Sequence, residues 1–231
     1  MKESEDLFDQ YAAAYEEALS NAIAPSGEGR EYFAEGRVAW LKRCLEELKL
    51  PVHSLLDFGC GDGATTPLLL NSLRAQAATG VDVSAKSLEI ARKRYGTAQI
   101  HFQSIAEFPP SAQIDLAYCN GVFHHILPEQ RAQALRLVHG ALRTGGLFSF
   151  WENNPWSLAT RYVMSRCAFD RDAIMLSPPE ARGLLRHGGF EIVRTDFRFI
   201  FPRSLRALRK MEDWIHRAPL GTQYQVLCRK S

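Results

Sequence analysis

The chain has 231 residues, 46% of them hydrophobic and 23% charged, which is the balance of an ordinary globular protein with enough apolar side chains for a real core. Its 28 basic and 26 acidic side chains leave a net charge of +2, too even to argue for nucleic acid as a partner. No apolar run approaches the roughly 20 residues of a membrane span, and the start, MKESEDLFDQ, lacks the basic and apolar segments of a signal peptide; the scattered cysteines (Cys44, Cys60, Cys119, Cys167, Cys228) form no CxxC pair, so reduced thiols in the cytoplasm are expected.

In chain order, residues 4–22 repeat Leu7, Tyr11 and Tyr15 at every fourth position, as a helix would. The stretch 24–29, APSGEG, breaks it, and a second helical pattern runs over 30–48 up to Pro51. Ser54–Phe58 is a short apolar run, predicted as a buried strand, followed by a glycine loop and a helix through Leu68–Leu73. Ala78–Val83 is the second predicted strand, with Ser84 capping a helix to about Tyr95; Gln99–Gln103 and Ile114–Cys119 are the third and fourth. Pro128 starts a helix expected to end near Arg143, with Gly145–Gly146 as its stop and Leu147–Trp151 as the fifth strand. Ser177-Pro178-Pro179-Glu180 has the form of a capping box, and its helix stops at Gly188-Gly189. Phe190–Phe201 and Gln223–Arg229 alternate like two further strands, with a basic helix, Arg203–Arg217, between them.

Strands alternating with helices imply right-handed crossovers and a parallel sheet covered on both faces. The expected fold is therefore α/β: a Rossmann-like, doubly wound, mostly parallel seven-stranded sheet with an N-terminal helical cap. The expected division is a cap or lid over residues 1–50 and one ligand-binding unit over residues 51–231.

Ligands of such sheets bind beyond the carboxyl ends of the strands. The segment LLDFGCGDGA, residues 55–64, places Asp57, Gly59, Cys60, Gly61, Asp62 and Gly63 at the end of the first strand. Glycines there admit close backbone approach by a ligand. About 20 residues on, Asp82 ends the second strand, where a carboxylate can take both hydroxyls of a ribose. A nucleoside-containing cofactor follows. The spacing is GxGxG, not the GxGxxG of dinucleotide sites, and the carboxylates of Asp57 and Asp62 would repel a pyrophosphate but suit a cationic ligand.

The pattern D-x-G-x-G-x-G from Asp57 to Gly63, with Asp82 and the fourth-strand segment IDLAYCNGVFHHI, resembles class I methyltransferases that use S-adenosylmethionine. LRTGG before the fifth strand is similar to that family's L-x-P-G-G, with Thr144 in place of proline. The resemblance implies that Gly59, Cys60, Gly61 and Gly63 line the methionine part of S-adenosylmethionine, with Asp57 near its amino group. It implies that Asp82 holds the ribose, that Val83 covers one adenine face, and that Asn120 and Gly121 approach the sulfonium. The family's acidic residue and small apolar neighbour at the adenine fall on Ser104 and Ile105, so the acid is absent. Tyr11 and Tyr15 resemble aromatic residues that close over the ligand. Cys60 is expected as a space-filler, not a nucleophile.

Methyl transfer needs alignment, and a base only where the acceptor must lose a proton. His124-His125 supplies the base candidates; adjacent side chains diverge, so at most one should face the acceptor. No third ligand at matching spacing accompanies the pair, so no metal is expected. Glu152, in the segment Glu152-Asn153-Asn154-Pro155, is a further candidate for orienting substrate or accepting a proton. That segment, with Cys167–Asp170 and Pro219–Tyr224, resembles a subgroup of small bacterial methyltransferases that carries histidine where Asn153 stands. The implied activity is methyl transfer to a small-molecule or carrier-bound acceptor, with O-methylation favoured. The competing readings are an NAD-type oxidoreductase and a non-catalytic S-adenosylmethionine-binding protein. The arginines at 194, 198, 203, 206 and 209 suit a solvated face better than a dock for an acyl carrier protein. Neither a nucleic acid nor a membrane is an expected partner, and no oligomeric state is implied.

Overall fold

A computed structural model of the chain describes residues 22–167, 170 and 172–231. Seven strands form one sheet in the order β3-β2-β1-β4-β5-β7-β6. These are β1 (Ser54–Phe58), β2 (Ala77–Asp82), β3 (Ile100–Ser104), β4 (Ile114–Asn120), β5 (Leu142–Asn153), β6 (Phe190–Arg198) and β7 (Gln223–Lys230). β1 to β5 pair in parallel, and β7 runs antiparallel between β5 and β6. The order reverses at β1, where β2 and β4 flank it, so the ends of β1 and β4 border the crevice in which such sheets take ligands.

The central strands are apolar on both faces because both faces are covered. Leu55, Leu116, Tyr118, Leu147 and Trp151 point to one core. Their neighbours Leu56, Ala117, Cys119, Phe148 and Phe150 point to the other, as a period of two requires. The first core is closed by α1 (Arg30–Leu48) and α2 (Thr65–Leu73), together with Leu88 and Ala91 of α3 (Ala85–Tyr95). The second is closed by α4 (Pro128–Ala141) and, after α5 (Leu158–Arg166), by α6 (Pro178–His187). Helix α1, in the part of the chain expected as a cap, buries Val38, Trp40, Leu41, Cys44 and Leu45 against the sheet and presents Arg30 and Arg37 to the cavity described below. The expected helix over residues 4–22, with Tyr11 and Tyr15, lies outside the described residues.

Local signals explain most boundaries. Ser84 caps α3 by accepting from the Ser87 N–H at 3.1 Å. Glu180 Oε2 accepts from the Ser177 N–H at 2.7 Å, as a capping box prescribes. Several boundaries differ from expectation, β6 ending at Arg198 and not at Phe201 among them, and two of the differences have a clear cause. Helix α4 ends at Ala141, before Arg143, because Leu142 is fully buried and already pairs with Ile114; Gly145 and Gly146 then lie in the irregular stretch of β5 before Leu147 regains register with Leu116. The expected basic helix is a 3-10 helix over Arg203–Met211 followed by α7 (Glu212–Ile215). Its arginines recur every third residue and so share one face of a three-residue turn. Two of these arginines bond back across the surface to the start of the described chain: Arg203 donates to Gly27 O at 3.3 Å, and Arg209 pairs with Glu28 at 2.9 Å and stacks over Tyr32, while Arg206 stays exposed. No helix among the described residues is long and apolar enough to cross a membrane.

Candidate active site

The carboxyl ends of β1, β2 and β4 open onto a cavity of about 890 Å³. That is near the top of the roughly 300–1,000 Å³ range of small-molecule sites. Its floor is the loop after β1. Gly59 and Cys60 donate to Val81 O at 2.8 and 3.1 Å, so the loop is laced to the end of β2. Gly61 donates to Asp82 Oδ2 at 2.8 Å, and Asp82 Oδ1 accepts from the Ser84 N–H at 2.9 Å. The carboxylate at the expected ribose position is thereby oriented by backbone on two sides.

Asp57 lines the cavity yet is only 2% exposed. It accepts from Thr66 Oγ1 at 2.7 Å. Burial pushes its carboxyl up to about 7; Thr66 opposes the shift, and the charges of Asp82 and Asp62 add to it. Asp62 is held by Arg30, whose Nη2 lies 3.0 and 2.9 Å from its two oxygens. Cys60 lines the cavity, but burial beside Asp57 and Asp82 pushes its thiol far above the usual range, so it offers no thiolate nucleophile.

Of the other residues expected at the ligand, Gly59, Gly61, Val83, Ile105, Asn120 and Gly121 line the cavity. Two do not. Gly63 faces inward, where Ala91 and the Phe102 ring would meet a side chain. The hydroxyl of Ser104 instead accepts from the Ala106 N–H at 3.3 Å, within the turn after β3. With Ile105, Val83 and Phe108 make an apolar stretch of the cavity wall. Tyr11 and Tyr15 lie outside the described residues.

The two histidines diverge. Both sit on the 3-10 turn Phe123–His125 after β4. His125 lines the cavity; His124 is buried behind it. Glu152 does not reach the cavity either. Its Oε1 accepts from the Phe123 and His124 N–H groups at 2.8 and 3.3 Å, and its Oε2 lies 2.6 Å from His124 Nδ1. It thus ties β5 to the histidine turn. Burial alone would lower the His124 pKa, but Glu152 and Asp170 together raise it to about 10, so the ring is a cation at neutral pH. Burial, aided by the His124 charge, pushes His125 down to about 4, so that ring is neutral.

Four residues not foreseen complete the site. Thr66, in the first turn of α2, steadies Asp57, and Arg30 neutralises Asp62. Arg37, buried at the cavity, donates to Tyr118 Oη at 3.1 Å and Gln223 Oε1 at 2.9 Å. Asp170 stands 3.4 Å from His125 Nε2 and 3.6 Å from His124 Nε2, supplying the third group that sequence spacing did not offer. The segment Cys167–Asp170 was noticed in the sequence, but nothing along the chain tied it to the histidines, which lie far upstream.

A mostly parallel α/β sheet with a glycine loop after β1, acids at the ends of β1 and β2, and a cavity open to both has the features expected of a nucleoside-cofactor site, and its carboxylates suit a cationic ligand. Over the part that carries this loop and sheet, the chain is similar to class I methyltransferases, which use S-adenosylmethionine as cofactor. The family described as "Methyltransferase domain" matches residues 56–148. A trans-aconitate 2-methyltransferase of Rhodopseudomonas palustris is 37% identical over 113 residues, 49% of this chain and 43% of that protein. An O-methyltransferase of Penicillium expansum, cnsE, is 30% identical over 155 residues, 62% and 54% of the two chains. The chain thus spans about half the length of the curated relatives it matches. Among solved structures, an S-adenosylmethionine-dependent methyltransferase from Thermotoga maritima superposes with a TM-score of 0.67 at 18% identity, over 99% of this chain and 100% of that one. At that identity the likeness is one of fold.

The residues present fit this cofactor. Asn120 Oδ1 is buried at the cavity with no hydrogen-bond partner among the described residues, an acceptor suited to an ammonium group. The carboxylates of Asp57 and Asp82 favour a cationic ligand over a pyrophosphate.

Proposed function

We propose that the chain transfers a methyl group from S-adenosylmethionine to the oxygen of a small-molecule acceptor. The observation that carries this reading is the single cavity shared by the Asp57–Asp82 wall and His125. A cofactor on one side and an acceptor on the other fit within its volume. When bound, S-adenosylmethionine supplies an electrophilic methyl on a good leaving group. In this reading Asp82 takes the ribose hydroxyls, Asp57 and Asn120 face the ammonium, and Val83 and Ile105 cover the adenine. His125 then accepts the acceptor hydroxyl's proton. Its neutrality supports that role, because only an unprotonated imidazole can act as base. In this reading His124 and Glu152 do not touch the acceptor and form the brace behind His125. Small-molecule acceptors are in keeping with the named relatives, one of which acts on trans-aconitate. Carrier docking on the basic segment gains no support, since Arg194, Arg198, Arg203 and Arg209 all bond within the chain.

The test begins with methyl-labelled S-adenosylmethionine and a metabolite extract, to identify the methylated product. With that acceptor, His125→Gln should lower kcat about 10²–10⁴-fold while leaving cofactor binding nearly intact. The acid limb of kcat/KM should fall near pH 4 to 5, not near 6.5, because His125 loses its base function only when protonated. A loss below about fivefold would remove His125 from the chemistry and point to a carboxylate acceptor, which has no proton to give up.

A further inference from the structure

We propose that His124, His125 and Asp170 hold one divalent transition-metal cation of the zinc class. Each of the three offers a ligand atom, and these atoms lie within 4.8 Å of one another. Asp170 Oδ1 is 3.6 Å from His124 Nε2 and 3.4 Å from His125 Nε2. Zinc binds imidazole nitrogen and carboxylate oxygen at about 2.0–2.2 Å in a tetrahedron, whose ligand-to-ligand edges are then about 3.3–3.5 Å. The two separations from Asp170 are close to those edges. One carboxylate oxygen thus faces two ring nitrogens at distances longer than the roughly 2.7–3.2 Å of a good N–H···O bond.

The support around the cluster is of the kind that metal sites need. Glu152 Oε2 lies 2.6 Å from His124 Nδ1 and turns the opposite nitrogen, Nε2, toward Asp170. A carboxylate on the far nitrogen is what orients a ligating imidazole. The two chain segments are also locked together. Ile174 N donates to His124 O at 2.8 Å, and Arg131 reaches Phe123 O, Ile126 O and Ile174 O at 3.1, 3.0 and 2.7 Å. Those bonds fix the histidine turn against the loop bearing Asp170 before any ion arrives, which lowers the cost of ordering the site. Two imidazoles and one carboxylate favour zinc or cobalt over magnesium or calcium, which prefer oxygen ligands alone. Binding here would release the proton that His124 otherwise carries and engage His125 Nε2, so the loaded chain cannot use His125 as the base proposed above; that role belongs to the metal-free chain.

The test uses the full chain, stripped with a chelator and titrated with zinc, and with cobalt(II) as a spectroscopic probe. We expect one ion per chain and the visible spectrum of four-coordinate cobalt. Asp170→Asn and His125→Gln should each weaken zinc binding more than about 100-fold, beyond what losing an outer-shell partner costs. S-adenosylmethionine binding and the circular dichroism of Asp170→Asn serve as its folding controls. The wild-type stoichiometry and cobalt spectrum decide the matter even if a variant fails to fold. Wild-type protein that binds no zinc would overturn the proposal, and so would zinc bound as tightly after both substitutions, which would assign the ion to surface histidines and leave the cluster an ion-pair brace.

Discussion

Asp57 and His124 show how burial decides what one side chain can do. Burial pushes the Asp57 carboxyl up to about 7, so it titrates within the neutral range. A cationic ligand favours the ionised form, so S-adenosylmethionine affinity should rise with pH through about 7 and level off above. Asp57→Asn should remove the part of that dependence which wild type shows and the ligand's own amino group does not explain, as calorimetry across pH 5.5–8.5 would reveal. His124 works the other way. Its folded pKa, about 10, lies above the unfolded value of roughly 6.5. Its stabilising pairing with Glu152 is therefore fully present below about pH 6.5 and is lost as pH rises toward 10. Removing one partner of a buried pair costs on the order of 3–5 kcal/mol. Denaturant unfolding of His124→Gln should show a loss of that order at pH 6, shrinking as pH rises toward 10. A loss that stayed constant with pH would contradict the assignment of the charge to His124.

At the scale of elements, the loop after β1 divides its labour between ligand and core. Gly63 and Gly61 both adopt left-handed backbone, with φ of 79° and 54°. A side chain at Gly63 would stand 2.7 Å from Ala91 Cβ and 2.8 Å from the Phe102 ring, whereas at Gly61 it would meet nothing within 4 Å. Gly63→Ala should cost stability twice, through backbone strain of about 1–2 kcal/mol and overpacking of about 1–3 kcal/mol. Gly61→Ala should carry the strain alone and weaken cofactor binding, because it projects into the cavity. Thermal unfolding of the two variants, with calorimetry of the second, checks the ranking. The motif was legible in the sequence because glycines and acids at fixed spacing have few other uses. That Gly63 serves packing and not the ligand was not legible, since it depends on Phe102 of β3. The expected basic helix over Arg203–Arg217 takes a 3-10 form over Arg203–Met211, and its partners Gly27, Glu28 and Tyr32 were not legible because they lie nearly the length of the chain away.

Over the whole molecule, the alternation of strands and helices made the mostly parallel sheet legible. The antiparallel placement of β7 between β5 and β6 was not, because alternation reports a strand but not its partner. The lining of the cavity followed the same division. Asp57, Gly59, Asp82 and Asn120 could be placed from the strand ends that carry them. Arg30, Thr66 and Asp170 act through partners that only the fold brings near. The central claim is that this topology and this loop bind S-adenosylmethionine and not a dinucleotide. The most direct measurement is calorimetric titration of the full chain with S-adenosylmethionine, S-adenosylhomocysteine and NAD, repeated on Asp82→Ala. One site per chain with micromolar affinity for the first two and none for NAD is predicted, and Asp82→Ala should weaken binding by about 2–4 kcal/mol, the worth of one carboxylate shared by two hydroxyls. NAD bound more tightly than S-adenosylmethionine, or Asp82→Ala binding the cofactor as tightly as wild type, would contradict the account.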